Sequence, residues 1–326
     1  MHYAKQKIAK VNEFKAHNGY NSFIMAIIET IVPIFLIIIF GFILQQRGLL
    51  KREFIQEANR FVFHFSLPVL IFIGIIKSDI REVSLTSILS VIVPTLVILC
   101  IAFLLALAMG LKKGTLGSFV QTTFHGNITY IGLAVLYYMM GEEGMRRGSI
   151  LIGFLILMNN TLAIAILSWA SRRHENIWKS LASVVKSPLI IGTVLGMFLL
   201  YLDIPVPILL MKTMGILANI ALPMALIIIG ASMSMNTIRN SFKLSGIVVF
   251  MKLMVLPSLS FAFCHLYAIP FTDALPGIIL LATPTATTSF ILANQLGGDT
   301  DLASGVITLS TLLSPFVFIF WAYAAR

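Results

Sequence analysis

Apolar residues arrive in runs of about twenty, separated by short polar or charged stretches, and not as the narrow stripe of an amphipathic helix. A helix of ~20 apolar residues, rising ~1.5 Å per residue, crosses a hydrocarbon layer ~30 Å thick. The pattern predicts ten spans, at about 24–46, 56–77, 86–111, 116–140, 147–170, 187–202, 207–233, 243–268, 276–297 and 302–324. Between spans five and six, Arg172 to Lys186 is amphipathic, with Trp178 among basic residues, and reads as an interfacial helix.

Two spans are interrupted in the middle. Span four contains Gln121-Thr-Thr-Phe-His-Gly-Asn127-Ile-Thr-Tyr-Ile-Gly132, and span nine contains Leu281-Ala-Thr-Pro284-Thr-Ala-Thr-Thr-Ser289. Each places helix-weakening, hydrogen-bonding residues about ten positions into a membrane-length run, which is ~15 Å deep and near the bilayer midplane. Broken helices at corresponding midplane positions of two halves point to a transporter's binding site.

The halves do correspond. Pro33 and Pro188 open spans one and six and lie 155 positions apart; Pro68 and Pro223 break spans two and seven with the same separation. Pro94 and Pro257 fall in spans three and eight, 163 apart, and Gly141 and Gly297 close spans four and nine, 156 apart. One such pair is weak, because proline is common in membrane helices; four pairs in one order are hard to reach by chance. Five spans per repeat is an odd number, so the second repeat enters from the opposite side. The expectation is an all-α polytopic membrane protein of ten transmembrane helices in two inverted five-helix repeats, with helices four and nine broken. Residues 1–22 form a basic tail, 23–170 the first repeat, 171–186 an interfacial linker and 187–326 the second repeat.

Composition agrees: 58% of residues are hydrophobic and 11% charged, with mean hydropathy +0.96, whereas soluble domains carry about a quarter charged residues. The net charge of +10 is not a nucleic-acid signal, because the basic residues cluster between apolar runs, where they set orientation. Connections 1–2, 3–4, 5–6 and 7–8 hold twelve: Arg47, Lys51, Arg52, Arg60, Lys112, Lys113, Arg172, Arg173, Lys179, Lys186, Arg239 and Lys243. The opposite connections hold five: Lys77, Arg81, Arg146, Arg147 and Lys212. This places the 5–6 loop in the cytoplasm and both termini outside. The basic tail (Lys5, Lys7, Lys10, Lys15) argues the other way, but four connections agree. The tail does not look like a cleaved signal peptide and reads as flexible or interfacial. Cys100 and Cys264 lie in apolar runs and read as packing thiols.

After Asn127 and after Thr288 a half-helix restarts near the midplane, with unpaired N–H groups and partial positive charge suited to a carboxylate. Asn127, Thr129, Thr285, Thr287, Thr288 and Ser289 cap these ends or touch a ligand, or they only satisfy freed backbone groups. Gly126 and Pro284 supply the breaks and, with His125, belong to the expected substrate-binding set. His125 is either a proton-titrating group or a neutral packing histidine. Lys252, about nine residues into span eight, is either functional or reaches the headgroups with its long stem. No Asp lies deep in a span, since Asp79, Asp203, Asp273, Asp299 and Asp301 are in or beside loops. Glu29 and Glu57 sit near span ends, His64 and His265 read as structural, and Asn159-Asn160, Asn219 and Asn294-Gln295 read as interhelix hydrogen-bonding groups. No metal or cofactor is called for.

These stretches resemble the auxin efflux carrier family, which includes plant PIN-formed auxin exporters and bacterial malonate or malate permeases. The likeness rests on Asn127-Ile-Thr-Tyr-Ile-Gly132-Leu with Gly141-Glu-Glu-Gly, Leu222-Pro-Met-Ala-Leu-Ile-Ile-Ile-Gly230, Lys252-Leu-Met-Val-Leu-Pro257, and Pro284 through Ile291-Leu-Ala-Asn-Gln-Leu-Gly-Gly-Asp299. It covers about 24–324. The resemblance implies that helices four and nine cross at their breaks and bind the anion there. It implies a scaffold of helices one, two, six and seven, often a dimer interface, against which the other six move as an elevator. The family usually has proline after the span-four Gly-Leu; here Ala134 stands there, so the first break rests on Gly126 and Asn127. The 5–6 segment of about sixteen residues lacks the long loop of many plant members, which favours a bacterial carrier in the cell membrane.

The expected function is secondary transport of small carboxylates such as malonate, malate or auxin-like acids, with the lipid bilayer and a second copy of the chain as partners. The competing expectation is a sodium- or proton-coupled symporter or antiporter of bile-acid-symporter-like architecture, whose crossover usually carries acidic residues absent here. An enzyme is disfavoured: there is no His-Glu-x-x-His, no Gly-x-Ser-x-Gly, no membrane Asp pair and no P-loop.

Overall fold

A chain in hydrocarbon must satisfy its own backbone polar groups, and helices do so within one segment. The computed structural model describes residues 21–78, 84–170, 186–233 and 238–325, and no strand occurs among the described residues. The first half contains α1 (Asn21–Gln46), α2 (Arg52–Phe61), a π turn Val62–Ser66, α3 (Leu67–Ile76) and α4 (Leu85–Ala108). It continues with α5 (Lys113–Phe124), a π turn Ile128–Gly132 and α6 (Leu133–Ala170). The second half contains α7 (Pro188–Tyr201), α8 (Ile208–Ala218), α9 (Ala221–Ala231), α10 (Ile238–Phe250), a π turn Met251–Val255 and α11 (Leu256–Leu266). It ends with α12 (Phe271–Leu281), α13 (Thr288–Gln295) and α14 (Thr300–Ala324). Seven helical stretches among the described residues are long and apolar enough to cross a membrane, and α7 and α12 are shorter apolar helices.

Each expected span coincides with helix, with boundaries shifted by up to five residues. The basic tail up to residue 20 and most of the 171–186 linker, including Trp178, lie outside the described residues. Spans four and five were expected as separate helices. The part of span four that follows its break runs on with span five as one 38-residue helix, α6, but Gly141 (φ 65°, ψ −146°) is non-helical inside it. A straight helix of that length would be ~57 Å long, nearly twice the hydrocarbon thickness, and the left-handed glycine breaks it into two pieces.

Left-handed residues recur in register. In the first half they are Gly48 after α1, Gly110 after α4 and Gly141; in the second, Asp203 after α7, Ala268 after α11 and Gly297 after α13. Taken in order, the pairs are 155, 158 and 156 positions apart. Packing repeats as well. A Cβ on Gly41 would strike the Ile227 carbonyl and one on Gly230 the Ile38 carbonyl, so α1 and α9 meet backbone to backbone. A Cβ on Gly192 would lie 2.7 Å from the Pro68 carbonyl oxygen, and one on Gly196 3.2 Å from Ile75, so α3 and α7 meet in the same way. Small residues permit such approach where no hydrophobic drive pulls helices together.

Polar contacts fasten the two ends of the bundle. At one end Asp299 caps α14 through the Leu302 amide (2.9 Å), accepts from Thr115 Oγ1 (2.9 Å), and its own amide donates to Ser118 Oγ (2.7 Å). At the other, Arg147 Nη1 meets Asp273 Oδ1 at 2.6 Å, Arg146 pairs with Glu143, and Lys77 reaches Glu142 at 3.4 Å.

Candidate functional site

Helix α5 stops at Phe124 because Gly126 and Asn127 disfavour continuation. The chain leaves helical geometry at His125 (φ −76°, ψ 87°) and re-enters after Asn127 (φ −79°, ψ 59°). Asn127 Oδ1 accepts from the Tyr130 amide at 3.3 Å, a side-chain cap on the restarting turn. Helix α12 stops at Leu281 because Pro284 has no N–H to donate and Thr283 turns its hydroxyl onto the Leu280 carbonyl (2.7 Å).

The two interruptions meet. Gly126 and Thr285 form an isolated antiparallel bridge. The Asn127 amide donates to the Pro284 carbonyl at 2.7 Å, and the Ala286 amide donates to the His125 carbonyl at 2.9 Å. Thr285 is fully buried; its hydroxyl donates to the Thr122 carbonyl (2.8 Å) and its amide to Ser310 Oγ (3.1 Å). Pro284 and Thr285 therefore satisfy freed backbone at the crossing.

A cavity of about 370 Å³ lies against the bridge and extends to Lys186 and Ser187 before α7. Of the expected site residues, His125, Gly126, Asn127, Thr129, Thr287 and Thr288 line it. Pro284, Thr285, Ser289 and Lys252 do not. Ser289 is fully buried, and its hydroxyl has no partner among the described residues. The second helix begins at Thr288 itself, with no side-chain cap from Thr287. The Ser289 and Phe290 amides are taken by the carbonyls of Ala286 (3.0 Å) and Thr287 (3.3 Å). The amides of Ile128 and Thr129 at one restart, and of Thr287 and Thr288 at the other, find no acceptor among the described residues. All four residues line the cavity.

His125 is nearly buried and lies 2.9 Å, through Nδ1, from Gln121 Nε2. With the amide donating, the ring proton sits on Nε2. Lys252 does not reach the headgroups: it is fully buried, and Nζ donates to the Leu281 carbonyl at 2.6 Å. Of the two readings of Lys252, the reach to the headgroups is thus corrected: its Nζ stands at the crossing, beside Gly126.

Four further residues of the cavity wall were not among the expected site residues. Lys186 gives the cavity wall a cation. Asn159 and Asn160 line the wall, but neither forms the interhelix bond expected of it among the described residues: Asn160 Nδ2 donates to Ile156 of its own helix (2.8 Å), and Asn159 Oδ1 is buried without a partner. His64, whose Nδ1 lies 2.8 Å from the Arg60 carbonyl oxygen, also faces the cavity. The paired asparagines in an apolar run were the available signal; nothing local marked Lys186.

Comparison with known proteins gives one family model, described as "Membrane transport protein", matching residues 26–322. A Methanothermobacter thermautotrophicus protein named "Uncharacterized transporter" is 25% identical over 300 residues, covering 90% of this chain and 97% of its own length. A transporter of Methanocaldococcus jannaschii is 24% identical over 308 residues, with coverage of 90% and 97%. A Rhizobium meliloti protein named "Putative malonate transporter" is 24% identical over 293 residues, with coverage of 87% and 91%.

Proposed function

Because the chain belongs to the membrane transport protein family of auxin efflux carriers, which are transporters and not enzymes, we propose that it is a secondary transporter of small organic anions that holds a carboxylate at the bridged crossing. One observation carries this reading. The amides of four cavity-lining residues, two at each helix restart, have no acceptor among the described residues. Helix N-termini favour anions through such amides and their partial charge, each worth up to ~2 kcal/mol when partly buried. Thr129, Thr287 and Thr288 add hydroxyls, and Lys186 adds a cation at the cavity's far end. The volume suits a small carboxylate, and the similarity to a protein named for malonate makes malonate the first to try.

The reading extends to architecture. Ten membrane helices in two inverted five-helix repeats are supported by the paired left-handed residues and by the matching α1–α9 and α3–α7 contacts. Those four helices, with α2 and α8, form a scaffold that pairs with a second copy of the chain, and the rest moves as an elevator. The cavity reaches the Lys186 end, and the excess of basic residues in the connections on that side supports a cytoplasmic placement of it, while ion pairs fasten the other end. This is an inward-facing arrangement.

The test is a thermal-shift screen of purified protein against mono- and dicarboxylates and indole acetate, followed by uptake of the hits into liposomes. Stabilisation by a small carboxylate together with its uptake is expected; uptake of neutral solutes alone would contradict the reading. A second reading, a proton-coupled carrier, is favoured by the His125 ring in the cavity wall; it requires that His125→Gln alter the pH profile of uptake.

A further inference from the structure

The helix restart that carries the Ile128 and Thr129 amides is held by two different groups of helices. On one side it belongs to the crossing. Its π turn, Ile128–Gly132, hangs from the Asn127 carbonyl, which accepts the Ile131 amide at 3.2 Å and the Gly132 amide at 3.1 Å. A Cβ on Gly132 would lie 2.9 Å from Leu280 Cδ2 and 3.0 Å from Thr283 Cγ2, so the turn seats closely on α12 and the bend after it. On the other side the turn meets the scaffold. It packs on α9 and reaches α2 through the Tyr130 side chain. Tyr130 is buried; its amide donates to the Asn127 cap, and its hydroxyl donates to Asn59 Oδ1 at 2.9 Å. Asn59 is partly exposed on α2, a helix with no buried residue of its own. Tyr130 lines the cavity and Asn59 does not, so the phenol oxygen is committed to the scaffold.

We infer that the Tyr130–Asn59 hydrogen bond is a catch: it ties the anion-binding turn to the scaffold in this state and must open each time the turn moves past α2. The inference rests on the inward-facing carrier proposed above and assigns that state a holding contact. The turn travels with α12, because Gly132 admits no side chain between them and the Asn127–Pro284 bond joins their breaks. Its contact with α9 does not hold it in the same way. Apolar surfaces in lipid slide past one another without a hydrophobic drive to keep them together, whereas a directional bond is either made or broken. A second contact between the two groups, Lys77 at the end of α3 with Glu142 of α6, spans 3.4 Å with both side chains about half exposed. Exposed ion pairs of this kind contribute little, so the more enclosed Tyr130–Asn59 bond sets the balance between the two states. Tyr130 and Asn59 are positioning residues: they act on which way the site faces and do not contact the anion through this bond.

The experiment uses the full chain with Cys100→Ser and Cys264→Ser, and a reporter cysteine in the cavity wall, Asn160→Cys. A membrane-impermeant thiol reagent is applied from the Lys186 side and, separately, from the opposite side. Labelling from the opposite side follows the population of the minor, outward-facing state. Tyr130→Phe keeps the ring and loses the hydroxyl; it is expected to raise that rate about threefold or more, equivalent to at least ~0.7 kcal/mol, with no rise from the Lys186 side. Asn59→Leu is expected to do the same, and the double variant to add nothing to either single one, as for two ends of one bond. A role in packing alone would loosen the protein, speed labelling from both sides and give additive effects. Unchanged labelling in Tyr130→Phe overturns the inference, and so does an equal rise from both sides. A Tyr130→Phe protein that does not fold makes the bond a part of the fold and overturns it as well; should only Asn59→Leu fail to fold, Tyr130→Phe decides. A wild type that binds and carries no carboxylate overturns the proposed function; carboxylate uptake with unchanged labelling overturns this inference alone.

Discussion

The amide of Asn127 donates to the carbonyl of Pro284 across 2.7 Å, joining two residues 157 positions apart in sequence at the point where both their helices stop. Its mate, Ala286 amide to His125 carbonyl at 2.9 Å, closes the bridge. Each interruption thus answers the other's backbone needs, and the amides of Ile128, Thr129, Thr287 and Thr288 are left without an acceptor among the described residues.

Pro284→Ala restores an N–H at the second break and lets α12 extend toward Thr288. Malonate affinity should change by less than about threefold, since Pro284 does not line the cavity; a threefold change is well under ~1.4 kcal/mol. Uptake should fall much further, because a straightened helix no longer presents its carbonyl to Asn127. Parallel measurement of binding and liposome uptake checks this; equal losses in both would speak against it.

Gly230→Ala should lower the melting temperature by several degrees. Its Cβ would overlap the Ile38 carbonyl, which belongs to backbone and cannot swing aside, and such overpacking costs ~1–3 kcal/mol. Gly246→Ala is the control: nothing lies within 4 Å of its Cβ position, so its effect should stay within about 0.5 kcal/mol.

The ion pairs near Gly141 predict a modest acid sensitivity. Burial alone would raise the Glu143 carboxyl, but the hydrogen bond and charge of Arg147, and then of Arg146, hold it below its ordinary value of 4.5. A carboxyl lowered on folding contributes stability above its unfolded value, and that contribution is lost as pH falls through the lowered folded value. Melting temperature should therefore drop on acidification below about pH 4.5, and Glu143→Gln should weaken that part of the drop while melting lower at neutral pH. A wild type and variant with superimposable melting profiles would remove Glu143 from the account.

Orientation is tested in a background with Cys100→Ser and Cys264→Ser. A cysteine at Trp178 or Lys186 should resist membrane-impermeant thiol reagents applied to intact cells and react once the membrane is opened. Labelling of either from outside would reverse the topology and make the cavity outward-facing.

Much of this was legible in the chain. The two breaks, their depth and the role of Asn127 as a cap follow from Gly, Pro and Asn in apolar runs, because the backbone rules they express act over a few residues. That Pro284 and Thr285 take part in the bridge and do not line the cavity was not legible, because it depends on which face of a broken segment turns to its partner. Lys252 escaped for a related reason. Sequence gives its depth, but a long stem on a π turn points where the turn and Gly126 allow, and that is a three-body arrangement. Lys186 and Asn159 came to the cavity only through the packing of α6 and α7.

The most direct measurement is the malonate affinity of Asn127→Ala beside the wild type, by calorimetry on folded, monodisperse protein. The variant loses the cap on the restarting turn and a polar group in the cavity wall, a loss of about 0.5–1.5 kcal/mol for the hydrogen bond alone. The account predicts several-fold to tenfold weaker binding with the protein still folded. An Asn127→Ala protein that binds malonate as tightly as the wild type would place the anion away from the crossing.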